Sequence, residues 1–180
     1  VSSAAHEPAA TLPALERLRS ALEEVGVERA DGTREGEIVV TLPGERKLRT
    51  VCSLVVGADA VSVQAFVIRR PDENHEKFYT SLLRRNLRLP GMAYAIDGTG
   101  DVYLTGRLPV AAIDAPSIDR LLGTVLVACD EPFNELLVIG FLSSMRTEWR
   151  WRVSRGESTA NLEAFRHLLE ETGDDPDAAR

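Results

Sequence analysis

Few residues in this chain have types and spacings that could do chemistry. His6, His75 and His167 lie far apart, and none has a second His, a Cys or a paired carboxylate at metal-ligand spacing. Each reads as a surface residue, and no metal or other cofactor is expected. Cys52 falls on the inward face of a strand pattern and Cys129 on the apolar face of a helical one. A buried thiol behaves as a small hydrophobe, whereas a nucleophile needs exposure and a neighbouring base. Gly98-Thr99-Gly100 has the look of a phosphate loop, but no helix pattern begins after it, so no helix N-terminus is there to hold an anion. Asp97 and Asp101 bracket this segment, as carboxylates that fix a hairpin turn do. There is no G-x-S-x-G, Walker loop or HExxH. The sequence offers an enzyme no positive support.

One stretch stands apart. Met145, Arg146, Trp149, Arg150, Trp151 and Arg152 combine both tryptophans with three arginines. Arg and Trp are enriched where proteins meet. Interleaved aromatics and guanidiniums also suit single-stranded nucleic acid. A third reading makes Met145 and Trp149 the end of a buried helix face, with the arginines at the helix C-terminus. A second arginine group, Arg84, Arg85 and Arg88, ends a helix whose first turn holds Asp72, Glu73 and Glu76. That order complements the helix dipole and requires no anion site.

Charge and length narrow the classes. In 180 residues, 21 basic side chains face 28 acidic ones, a net charge of −7. Nucleic acid and a polybasic membrane surface are therefore not expected as partners. No apolar run approaches a membrane span, and no signal-peptide pattern opens the chain, so a cytoplasmic location is expected. Residues 1–10 read as a disordered lead-in, 11–172 as a single domain and 173–180 as an acidic tail.

The elements that must position these residues follow from periodicity. Thr11 can cap a helix carrying Leu12, Leu15, Leu18, Leu22 and Val25, which Gly26 stops. Three alternating strands follow, around Ile38–Leu42, Leu48–Val56 and Val61–Ile68, joined by short turns as an antiparallel meander. The third is apolar on both faces near its end and reads as central or covered on both sides. Asp72 can cap a helix through Leu87, Met92–Ile96 and Val102–Leu104 form a hairpin, and Asp114 caps a third helix. Asp130 reads as a second cap, for a helix from Phe133 to Met145 that is apolar almost all round. Such a helix is buried in a core or between subunits, which makes Phe133, Leu136, Leu137 and Phe141 candidates for self-association. A last helix runs from Ser158. The order α-βββ-α-ββ-α predicts an α+β fold, a five-stranded antiparallel sheet with helices packed on it and an added C-terminal helix.

Phe78-Tyr79-Thr80-Ser81-Leu82-Leu83-Arg84-Arg85-Asn86, Met92-Ala93-Tyr94-Ala95-Ile96-Asp97, Gly100-Asp101-Val102-Tyr103-Leu104 and Asp119-Arg120-Leu121-Leu122, in that order, resemble the YbjN family of bacterial proteins, often labelled sensory-transduction regulators. The resemblance spans about residues 12 to 153. It implies a fold similar to type III secretion chaperones, which are cofactor-free dimers that bind extended client segments. Nineteen arginines against two lysines, with abundant Ala and Leu, suit a GC-rich bacterial source such as an actinobacterium. The expectation is a non-enzymatic, homodimeric protein that binds a client polypeptide. The alternative is a small-molecule sensor with a pocket near Phe66, Tyr94 and Tyr103.

Overall fold

The structure is a computed structural model that describes residues 8–170. The expected tail at 173–180 and most of the expected lead-in lie outside the described residues. Helix α1 (Pro8–Val25) begins within the segment read as a lead-in. Strands β1 (Glu28–Asp31), β2 (Glu37–Pro43), β3 (Arg49–Val56) and β4 (Ala60–Ile68) follow, then α2 (His75–Asn86), β5 (Met92–Ile96), β6 (Val102–Pro109), α3 (Ala115–Asp130), α4 (Phe133–Arg155), a 3-10 segment (Ala160–Phe165) and α5 (Arg166–Glu170). The sheet has six antiparallel strands in the order β1-β2-β3-β4-β6-β5. The added strand is β1. Glu28-Arg29-Ala30-Asp31 has no apolar alternation, and every residue in it is exposed. Its register on β2 makes it a strand, and its charges blunt the sheet edge.

The chain divides into two compact units, one running up to Arg70 and resuming over Tyr79–Glu135, the other made of Pro71–Phe78 and the residues from Leu136 onward. The first unit holds the sheet. Its inner face carries Ile38, Val40, Cys52, Leu54, Val61, Val63, Ala65, Val102 and Leu104, all buried. α3 lies on that face and α1 packs on α3. Leu18 and Leu22 enter the core as expected, but Leu12 is exposed and Ala14 and Ala21 are buried instead. β4 is central, between β3 and β6, as its two apolar faces suggested. A register shift between Phe66 and Ile68 lets Val67 and Ile68 both be buried.

Asp114 caps α3 as expected, accepting from Ser117 N at 2.7 Å. Asp130 does not begin α4. It is the last residue of α3, nearly buried, and its carboxylate accepts from Arg46 N at 2.9 Å and Lys47 N at 2.8 Å, in the turn between β2 and β3. It thus fixes a hairpin that precedes it by more than eighty residues. Helix α2 starts at His75, later than Asp72 predicted, because Asp72, Glu73 and Asn74 serve the second unit instead. The last helix is likewise shorter than expected, its first part being 3-10.

Candidate functional site

The second unit is organised around α4. Its middle is bonded to the segment before α2. Gly140 O accepts from Asp72 N at 2.9 Å and Glu73 N at 3.2 Å, and Ile139 O accepts from Asn74 Nδ2 at 2.9 Å. One turn on, Ser143 donates from N at 2.7 Å and from Oγ at 2.8 Å to the Glu73 carboxylate, and Ser144 Oγ donates to Asp72 at 2.8 Å. Asn74 takes a positive φ of 52° to close this splice. Glycine is required at position 140, because a Cβ there would lie 2.8 Å from Pro71 Cβ and 2.9 Å from the Phe78 ring. Phe78 packs edge to face on Phe141, with centroids 6.3 Å apart.

The far end of α4 is fastened differently. Arg146 Nε donates to Leu168 O at 3.2 Å, and Arg152 donates to Ser158 O at 2.9 Å. Arg152 also pairs with Glu148 at 2.8 Å. These bonds lay the 3-10 segment and α5 along the helix, with Leu162, Phe165 and Leu169 buried on them and Met145 and Trp149 buried on α4. The arginine-tryptophan stretch therefore splits in two. Met145 and Trp149 are core, Trp149 being 8% exposed, while Arg146 and Arg152 hold the C-terminal segment. Arg150 and Trp151 face water, Trp151 being 46% exposed, and Val153 is exposed beside them. Arg155 stacks over the Trp151 ring at 4.8 Å. Ser143, Ser144, Thr147, Glu148 and Trp151 line an open groove of about 550 Å³. The hydroxyl protons of Ser143, Ser144 and Thr147 are all donated to neighbouring protein oxygens, so toward the groove these residues offer lone pairs.

The candidates for self-association divide as well. Leu136 and Phe141 are buried within the chain, whereas Phe133 and Leu137 are half-buried. Lys47 Nζ lies 6.0 Å from the Phe133 ring centroid and 5.2 Å from that of Phe66. Burial lowers the Lys47 ammonium below its ordinary 10.5.

The other candidates resolve plainly. Cys52 and Cys129 are fully buried, and burial pushes their thiols up to about 12 and about 11. Asp97 closes the hairpin turn, accepting from Thr99 Oγ1 at 2.8 Å, Thr99 N at 2.9 Å and Asp101 N at 3.0 Å. Asp101 accepts from Arg70 N at 2.8 Å. The three residues proposed to share a pocket do not share a face. Tyr94 points into the core, its hydroxyl donating to Ala128 O at 2.6 Å, and burial pushes it up to about 12. Phe66 and Tyr103 pair edge to face at 5.5 Å on the opposite face of the sheet. Among the described residues, no group of three His, Cys, Asp or Glu side chains could hold a metal, and no helix is long and apolar enough to cross a membrane.

The family model for YbjN, described as "Putative bacterial sensory transduction regulator", matches residues 14–137. The chain belongs to the YbjN family. This YbjN chain is 53% identical over 137 residues to ML2442 of Mycobacterium leprae, covering 76% of the chain and 74% of that protein. It is 49% identical over 163 residues to Rv0487 of Mycobacterium tuberculosis, covering 88% and 89% respectively. Both relatives are mycobacterial, in keeping with the excess of arginine over lysine. Among solved structures, its fold is similar to that in the ExsC–ExsE complex, with a TM-score of 0.51 at 16% identity, covering 70% of this chain and 95% of that one. The Yersinia pestis type III secretion chaperone SycH, in complex with a fragment of YscM2, aligns with a TM-score of 0.46 at 13% identity over 70% of this chain and 98% of that one. The YbjN family model matches up to residue 137, whereas the 49% identity to Rv0487 extends over 88% of the chain, which takes in the exposed end of α4.

Proposed function

We propose that this YbjN protein is a non-enzymatic regulator that acts by holding a partner polypeptide, and that the exposed end of α4 is where it does so. The observation that carries this reading is Trp151. It stands half in water over an open groove, beside exposed Arg150 and Val153, on a helix face that Met145, Trp149, Arg146 and Arg152 hold rigid from behind. A large aromatic on a pre-ordered surface loses little conformational entropy on binding, which is how such residues come to dominate interfaces. The likeness to chains solved in protein complexes agrees with a polypeptide partner. Buried thiols and carboxylates committed to turns are in keeping with a role without catalysis.

Self-association forms part of the same reading, through Phe133 and Leu137, the two candidates that keep surface to offer. Light scattering at high micromolar concentration is expected to give a dimer mass, and a monomer mass removes this part. For the partner, capture from a mycobacterial lysate is compared between the wild type and Trp151→Ala. The expected result is loss of specific partners with an unchanged melting temperature. Identical partner sets count against the site.

A further inference from the structure

Helix α2 and the turn that follows it carry a surface that the reading above does not use. The inner side of the helix is fixed in the first unit: Leu82 is buried, Arg85 pairs with Glu135, which also accepts from Ser81 Oγ at 3.1 Å, and the Asn86 side chain bonds both N and O of Tyr94, at 2.7 and 3.3 Å. The outer side is apolar and cationic together. Leu83 and Leu87, four residues apart, are 65% and 88% exposed. Arg84 and Arg88 run beside them with the same spacing, and both are exposed. Among the described residues, neither guanidinium has a carboxylate within 4.0 Å, in contrast to Arg85. Attraction to the helix C-terminus accounts for basic residues here, but not for two leucines left in water beside them.

We infer that this ridge is a second docking surface, and that its occupant is an acidic polypeptide segment with apolar side chains. The leucines, one in the last turn of α2 and one just past its end, supply a strip for apolar contact. The two forked guanidiniums next to it match carboxylates spaced along such a segment, and each can take a carboxylate by two parallel hydrogen bonds. The net charge of −7 disfavours an extended polyanion or an anionic bilayer, which meets the field of the whole molecule. A short segment reads mainly the local charge, since more distant charges are screened within about 8 Å at physiological salt. Because Leu82, Arg85 and Asn86 already hold α2, and Arg88 N donates to Arg85 O at 2.9 Å in the turn after it, the ridge is pre-formed.

The test uses the full chain and two synthetic amphipathic peptides of equal length, one pairing leucines with glutamates and the other pairing the same leucines with lysines. Amide NMR shifts are followed as each peptide is added. The glutamate peptide is expected to shift resonances from Leu83 to Arg88 saturably and at least tenfold more tightly than the lysine peptide. Arg84→Gln with Arg88→Gln is expected to remove that preference. Leu83→Ala with Leu87→Ala is expected to weaken binding severalfold without changing the melting temperature, since both side chains are exposed. Equal affinity for the two peptides, saturation centred on other residues, or insensitivity to the arginine changes overturns the inference. So does tighter binding to phosphatidylserine vesicles than to the glutamate peptide. Failure here with a positive Trp151 result removes this ridge alone, because the two surfaces share no residue.

Discussion

Cys52 and Cys129 are enclosed by the sheet and α3, and their thiols are held protonated at neutral pH by the burial that raises them to about 12 and about 11. The native protein at pH 8 is therefore expected to resist iodoacetamide at both positions, with two equivalents incorporated only after denaturation, as intact mass measures directly. Rapid labelling of either thiol in the native state would contradict the assigned burial. Strand and helix periodicity alone placed both cysteines inward. The same reasoning could not place Asp130, because its role is set by a contact more than eighty residues away. Its signal was a carboxylate at a helix end opposite two backbone N–H groups, and no local pattern encodes that pairing. Asp130→Ala leaves those two N–H groups without their charged acceptor. It is expected to cost about 3 kcal/mol, from roughly 1.5–3 kcal/mol per charged hydrogen bond with allowance for solvent, read as a shift in the urea midpoint.

At the scale of elements, the Asp114 helix cap and the hairpin turn were legible because their chemistry is local. Asp114 and Asp97 both have carboxyls held below the ordinary 3.8, chiefly by hydrogen bonds from the Ser117 and Thr99 side chains. A carboxyl with a lowered folded pKa contributes stability that is fully present above its unfolded value and is lost as pH falls through the folded one. Asp114→Asn is accordingly expected to flatten the acid limb of the stability curve below about pH 4, while leaving its slope above pH 6 unchanged. β1 escaped the sequence because a charged edge strand carries no alternation. The expected all-round apolar helix proved to be two stretches with different roles, the middle spliced to the segment at 71–74 and the end covered by the C-terminal segment. Gly140 is the position that splice depends on. Gly140→Ala pushes a methyl into Pro71 and Phe78 and is expected to cost roughly 1–3 kcal/mol, as overpacking does, although alanine is the better helix former. A melting temperature equal to or above the wild type would show that the splice yields.

For the whole molecule, one strand set, two helices on its inner face and a family match over residues 14–137 describe a shared scaffold. The candidate contact surface lies beyond the part matched by the family model, on the last turns of α4 around Arg150, Trp151 and Val153. Composition alone points to this stretch, but only burial separates Trp149, which is structural, from Trp151, which is offered to solvent. The claim that this protein works by contact with another polypeptide is tested most directly by photo-crosslinking in the living cell. Benzoylphenylalanine replaces Trp151 in one strain and exposed Ser20 on α1 in another. The account predicts a discrete heavier adduct containing a second polypeptide from position 151 and none from position 20. No adduct at 151, or the same adducts from both positions, would contradict it.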